Sequence, residues 1–530
     1  MKNLAVAASL LALTALTWFE IPGHTCLAQD TQIYVPILEH LRDPAVLARD
    51  PLVESPHVSF TLYDETARAV RRATGLSFRY VLESGQLATR ALGIWGLYLM
   101  AAALGLSAPA SLLAAAIVSL GATVAGPAVL SFEIEPDPRG FAVPLLFLAV
   151  GFAAHGRHLA AGIAGSAAFL MHPPTVAPFW IVYGALALTD KRAARHAFPP
   201  LAAACVLLAI AARFQDGASE AQHFFARIPP AIEFLQRLRA PYSWISSWWR
   251  DWLPSYVALY AASLLAYRRV RKRAPRALRF FLIGLPLAGM ASMPLSYLLL
   301  EKSKWVLMPQ LQPMRALLFV IVVAQLAGAA AGILAAQSRR WAEALSWFML
   351  VYLIPLDAAV RLYAVILLAA AATFAAWSGG LRLRWSAPAL AGAALAGFFL
   401  LPPWRGEAHQ RLETPQLAQL SCWARASTPR DAVFLFADAG KRLEPGVFRS
   451  EAQRAIYVDW KGGGQVNYLP ELGELWWRRW QQTLAAPFNP QSIARYGPLG
   501  IDYIVLASNR LADRTPVYQN AQYAVYDVSH

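Results

Sequence analysis

The sequence predicts a polytopic α-helical membrane protein of about thirteen transmembrane helices that ends in a soluble α/β domain. Three observations lead there. Of 530 residues, 57% are hydrophobic and 15% charged, whereas soluble domains carry roughly 25% charged residues. Apolar runs of about 14–21 residues recur along the chain, most of them near the length that crosses roughly 30 Å of hydrocarbon. After "LLPPWRGE" (Leu400 to Glu407) that pattern stops and short amphipathic segments take over.

The runs fall at about 4–20, 90–107, 110–126, 141–155, 159–173, 175–189, 197–213, 253–267, 280–299, 316–336, 342–355, 361–377 and 386–402. Lys2, Arg157, Lys191–Arg195, Arg268–Arg279, Arg339–Arg340 and Arg382/Arg384 then share one side, which the positive-inside rule makes cytoplasmic. The N-terminus lies inside and the C-terminus outside. The first run, with Lys2 before it and Cys26-x-Ala28 after it, also fits a signal peptide; in both cases residue 30 emerges on the outer face. The long loops, about 21–89, 127–140, 214–252 and 300–315, fall on that face too. Loop 21–89 holds one or two interfacial helices by pattern. "PYSWISSWWRDWLPSY" (Pro241 to Tyr256) reads as an aromatic belt at headgroup depth.

Residues 1–404 thus form the membrane domain and 405–530 the outer one. The latter alternates helical patterns ("TPQLAQLSCWARAS", "ELGELWWRRWQQTL", "NPQSIARYG") with strands ("AVFLFADA", "RAIYVDW", "DYIVLAS", "QYAVYDV").

The formal charge of +15 does not indicate nucleic acid. Its densest run, "YRRVRKRAPRALR" (Tyr267 to Arg279), lies between two spans, where it sets orientation against anionic lipid. Cys26, Cys205 and Cys422 are too few for a metal knuckle or a disulfide framework, although one Cys26–Cys422 bridge is open.

Ionisable groups at membrane depth are functional candidates, and they gather at the outer rim. Asp30 follows the first span; "SFEIEPDPRG" supplies Glu133, Glu135, Asp137 and Arg139; "MHPPT" places His172 at a helix end; "PQLQPMR" brings Gln312 and Arg315. A carboxylate there can deprotonate an attacking hydroxyl, and arginines can bind phosphate through their planar fork. Structural roles are open for each. Asp30 suits a helix N-cap, Asp43-Pro44 and Asp50-Pro51 suit turns or helix starts, and Arg315 suits an interfacial anchor. In the outer domain, "FRSEAQR" and "DWKGGG" bring Arg449, Arg454 and Lys461 near a glycine run that suits an anion or a flexible turn. It is not a P-loop, because the lysine precedes the glycines. The Trp476/Trp477/Trp480 stripe reads as core or docking surface.

An acidic residue after the first span, a long first outer loop, "EPDPR" in the second and "HPPT" between the fifth and sixth spans together resemble bacterial glycosyltransferases of the GT-C superfamily. "DTQIYVPILEHLRDPAVLARDPL", "EPDPRGFAVPLLFLA" and "FRSEAQRAIYVDWKGGGQVNYLPELGELWWRRW" more closely resemble an uncharacterised bacterial membrane family with a C-terminal outer domain of unknown function. The resemblance implies a GT-C-like fold in the bacterial inner membrane with a periplasmic C-terminal domain. It also implies inverting transfer of a sugar from a polyprenyl phosphate, with Asp30 as base. Arg139 and Arg315 would hold the phosphate, and Glu135, Asp137 and His172 the acceptor or an optional divalent cation. The flanks of Asp30, Gln29 and Thr31, depart from the paired acids frequent in that superfamily. A lipid-linked glycan flippase and a non-catalytic envelope scaffold are the alternatives; the lack of an internal repeat and the clustering of charge at one rim favour the enzyme.

Overall fold

The computed structural model describes residues 2–54, 61–215, 226–355, 386–400, 412–485, 488–510, 512 and 514–528. Helices overlap every expected span except 361–377, which lies outside the described residues, as does the expected boundary at 404/405; the span expected over 110–126 is helical only to Ser119 and then enters a short strand at Thr123–Val124. Among the described residues, the helices Lys191–Ala211, Arg276–Lys302 and Met308–Gln337 are long and apolar enough to cross a membrane. Asn3–Phe19, Ala108–Ser119, Pro138–Ala154, His158–Met171 and Trp341–Leu353 are apolar but shorter.

Local sequence sets the helix ends. Asp137 is extended ahead of Pro138–Ala154, and its carboxylate accepts from the Gly140 N–H at 2.7 Å. Pro138 stands at the first helical position, where a missing N–H costs no bond. The chain turns back at His172, which closes His158–Met171 and caps Pro173–Ala187, its Nδ1 accepting from Thr175 N–H at 3.3 Å. The prolines after it therefore start a helix rather than merely end one.

Leu318–Gln337 is apolar all round and buried along nearly its whole length, as a helix with no polar face must be. It packs against Trp252–Val270, Arg276–Ser296 and Trp341–Leu353. Phe78–Ala103 and Pro138–Ala154 lie so close that a Cβ on Gly96 would overlap the backbone of Phe147 and Leu148, an approach that small residues permit. A two-stranded hairpin, Thr123–Val124 (β1) with Val129–Leu130 (β2), replaces plain loop before Pro138.

The C-terminal region forms a five-stranded sheet from Val433–Phe436 (β3), Ala455–Ile456 (β4), Tyr503–Ala507 (β5), Tyr518–Gln519 (β6) and Tyr523–Asp527 (β7), in the order β4-β3-β5-β7-β6. β3 runs parallel to β4 and β5; β7 is antiparallel to β5 and to β6. Alternation sorts the side chains. Val433, Leu435, Ile504 and Tyr526 pack with Trp476 and Trp480 of Pro470–Thr483. Phe434, Phe436, Val505 and Val525 pack with Pro415–Ser427, Glu444–Ala452 and residues Cys26, Val35, Leu38, Tyr63 and Phe78. The sheet thus shares one of its two cores with the segment after the first helix, which contributes side chains of Thr31–Arg42 and Tyr63–Thr74, while Leu52 and Val53 of Pro51–Glu54 pack in a small cluster with Ile33, Ile37, Val46 and Leu47.

Polar links reinforce that union. Arg49 meets Asp502 at 3.0 Å and Arg79 meets Glu413 at 2.7 Å, exposed pairs worth no more than about 1 kcal/mol each. Arg449 is 2% exposed and lies between Asp50 and Asp459, 2.7 Å from each. The three cysteines are free, Cys26 buried and Cys422 exposed, so the Cys26–Cys422 bridge is not made.

Candidate functional site

A cavity of about 1070 Å³ opens where these parts meet. Its walls come from residues 29–34, the β1–β2 hairpin with the following acidic loop, His172, the stretch 239–252, Arg315, and residues 461–468 of the C-terminal region.

The geometry starts with Glu135. This carboxylate is 2% exposed and reaches the start of Thr31–Arg42. Its Oε1 accepts from the N–H groups of Ala28 (2.6 Å) and Gln29 (2.7 Å), and its Oε2 from that of Thr31 (3.0 Å). Helix starts leave such N–H groups without intrahelical partners. Asp30 occupies the N-cap position, yet its side chain makes no capping bond. It points instead into the cavity with its side chain 33% exposed, while Glu135 holds the turn that leads into the helix. There Oδ1 meets Lys461 Nζ at 2.6 Å and Oδ2 meets Arg139 Nη2 at 3.4 Å.

Arg139 organises acids. Its guanidinium also meets Asp137 at 2.6 Å and Glu133 at 3.2 Å, so three carboxylates share it. Burial opposes ionisation of Asp30, but the Lys461 ammonium and the Arg139 guanidinium outweigh it and hold the carboxyl well below its usual range. Burial likewise disfavours the Lys461 ammonium, and Asp30 more than restores it, so its pKa lies above the ordinary lysine value.

Two other arginines on the cavity wall have no carboxylate partner among the described residues. Arg315 is 8% exposed and its Nε is buried without a hydrogen bond. Arg239 stacks its guanidinium 3.7 Å above Trp460, donates to the Trp460 carbonyl and also leaves Nε unbonded. Burial, only partly offset by Tyr242 and the Asp459 carboxylate, pulls the Arg239 pKa down to about 10. Charge removed from water without an ion-pair partner is costly, which leaves these two guanidiniums available to an incoming anion. Tyr242, Trp248, Trp249 and Trp252 form an aromatic wall beside them, with Trp249 and Trp252 stacked at 6.4 Å.

The structure therefore brings together Asp30, Glu135, Asp137, Arg139, His172, Arg315 and Lys461 around one cavity. Gln312 stands behind it. Its backbone is left-handed at φ 44°, its Nε2 donates to the Pro309 carbonyl at 2.7 Å, and its carbonyl accepts from Arg315 N–H at 3.0 Å, so it shapes the turn that presents Arg315. Arg449 and Arg454 are placed elsewhere and hold structure instead of substrate. The first is enclosed by its two aspartates; the second donates to the carbonyls of Arg425 (2.9 Å) and Thr428 (2.8 Å) at the end of Pro415–Ser427. In "KGGG", Gly463 lies where a Cβ would overlap the Trp476 indole, so close packing explains that glycine. Glu135 and Asp137 direct their oxygens to N–H groups and Arg139, and among the described residues no three His, Cys, Asp or Glu side chains converge on a metal position. The donor set does not fit a divalent cation.

Arg239 was not singled out by the sequence, although it stands just ahead of the aromatic run at Pro241–Tyr256. That run, legible as a belt, lines the cavity through Tyr242, Trp248, Trp249 and Trp252.

Residues 416–483 match the family described as a domain of unknown function (DUF6798). No curated protein matches the sequence. The fold aligns with ArnT from Cupriavidus metallidurans at 12% identity and a TM-score of 0.42, covering 99% of this chain and 98% of that one. It aligns with the Archaeoglobus fulgidus oligosaccharyltransferase at 12% and 0.40, covering 96% and 69%. With the mycobacterial arabinofuranosyltransferase AftD the values are 13% and 0.43, covering 99% of this chain and 38% of that one. These neighbours are GT-C glycosyltransferases.

Proposed function

We propose that this chain is a GT-C-type inverting glycosyltransferase of the inner membrane, acting at the periplasmic face on a polyprenyl-phosphate sugar. About thirteen spans would carry the site, and residues 405–530 would lie on the periplasmic side. The observation that carries the reading is a carboxylate, Asp30, facing the same cavity as the buried Arg315 and the half-buried Arg239, neither of which has an ion-pair partner among the described residues.

In this reading the donor phosphate docks on Arg315 and Arg239, through charge-assisted bonds that gain strength away from bulk water. The polyprenyl tail runs into the bilayer, and the sugar lies against the aromatic wall. Arg139 keeps Asp30 in place. The acceptor hydroxyl donates to Asp30 and its oxygen attacks the anomeric carbon from the face opposite the phosphate. A new C–O bond forms, the bond from that carbon to the phosphate oxygen breaks, and the electron pair leaves on the phosphate. The hydroxyl proton passes to Asp30. General-base help of this kind is worth about 10²–10⁴ in rate.

The test is release of free polyprenyl phosphate by purified protein supplied with a panel of polyprenyl-phosphate sugars, with Asp30→Asn in parallel. Release by the wild type that falls at least 100-fold in the variant is expected. Equal release by both proteins, or none from any donor, defeats the reading.

A further inference from the structure

The Lys461–Asp30 contact joins the C-terminal region to the first outer segment inside the cavity, and it is the lysine's one ion pair among the described residues. The lysine backbone is anchored. It opens the 3-10 turn Gly462–Asn467 directly behind Asp459, which is fixed by Arg449 and accepts from Gly462 N–H at 3.3 Å. The ammonium, by contrast, sits at the end of a flexible four-carbon stem with rotatable donors. Asp30 has a second holder, Arg139 on its other oxygen, so it does not depend on Lys461 for its position.

Resting on the transferase reading, we propose that Lys461 exchanges partners during the reaction, moving from Asp30 to the leaving phosphate. Charge drives the exchange. A sugar-linked phosphodiester carries one negative charge, like Asp30. As its bond to the anomeric carbon breaks, the phosphate moves toward a monoester, whose charge reaches about −1.5 to −2 at neutral pH. The ammonium then prefers the phosphate, where it stabilises charge present only late in the reaction. Its departure removes from Asp30 a cation that holds the carboxylate ionised. The base becomes stronger as the acceptor proton arrives, and Arg139, Glu135 and Arg315 remain around it.

The test measures equilibrium binding of a polyprenyl phosphate monoester to detergent-solubilised full-length protein in four forms: wild type, Asp30→Asn, Lys461→Gln and the double variant. Exchange requires Lys461→Gln to weaken binding about tenfold, the worth of one charge-assisted bond. It also requires Asp30→Asn to tighten binding, because the lysine no longer has to be drawn off the carboxylate. That gain must shrink in the Lys461→Gln background, a coupling that a double-mutant cycle isolates. Should Lys461→Gln alone not fold, the double variant against Asp30→Asn still reads the lysine's contact with phosphate. An unchanged affinity in Lys461→Gln, or a gain of equal size in both backgrounds, overturns the exchange while leaving the anion site intact. Absence of saturable binding to the wild type overturns the transferase reading itself.

Discussion

Glu135→Gln separates the role of Glu135 from that of Asp30. The wild-type carboxylate accepts three backbone N–H bonds, from Ala28, Gln29 and Thr31. An amide presents one oxygen and one NH₂ group, so at least one N–H faces a donor in either orientation. A lost bond to a charged group costs about 1.5–3 kcal/mol, and loss of negative charge at the helix start adds about 0.3–1 kcal/mol. The sum, roughly 2–4 kcal/mol, corresponds to opening of this helix start about 30- to 1000-fold more often. Hydrogen–deuterium exchange of peptides spanning residues 26–42 should show that acceleration, with Pro470–Thr483 as the unaffected reference. Loosening of this turn should also displace Asp30, so the proposed glycosyl transfer should fall although Asp30 is untouched. Unchanged exchange in this segment would refute the assignment of Glu135 as the remote cap.

Arg449→Met leaves Asp50 and Asp459 buried without their partner and should cost about 3–5 kcal/mol, read as a lower thermal midpoint in detergent; adding Asp50→Asn and Asp459→Asn should recover part of it. The Asp30–Lys461 pair should contribute evenly across neutral pH. A depressed Asp30 adds stability above about pH 3.9, lost only as pH falls through its lower folded value, and a raised Lys461 adds stability below about pH 10.4, lost only as pH rises through its higher one. The difference in midpoint between wild type and Lys461→Gln should therefore be flat from about pH 5 to 9 and, for a partly exposed pair, reflect no more than about 1 kcal/mol; a step near pH 6–7 would contradict it. Gly96→Ala forces apart the helices Phe78–Ala103 and Pro138–Ala154 and should cost about 1–3 kcal/mol, measured the same way.

Elements whose signal is local were legible. The strands read from "AVFLFADA", "RAIYVDW", "DYIVLAS" and "QYAVYDV" contain β3, β4, β5 and β7. "NPQSIARYG", read as helical, is a 3-10 helix over Pro490–Leu499. Its i to i+3 pattern is hard to tell from an α-helical one over so short a run. Asp50 was legible as a helix start, and Leu52 N–H does donate to its Oδ1 at 3.0 Å. Its second oxygen holds Arg449 from 399 positions away, a pairing that no spacing rule reaches. The same distance in sequence hid Glu135, whose capping targets lie 104 to 107 residues upstream. A remote carboxylate that holds the turn into the helix has no local signature, and pattern alone offers only the local choice of Asp30 as cap.

Of the two counter-charges of Asp30, Lys461 stands 431 residues downstream, and the cavity wall around it is completed by Gly464, Gln465 and Tyr468. During synthesis the first acidic group is therefore in place long before the chain that encloses it. A polypeptide halted anywhere before the "KGGG" segment holds Asp30 in an open half-site. The chamber closes only when the tail docks against the segment after the first helix, so the last part of the chain to be made completes a cavity begun by the first.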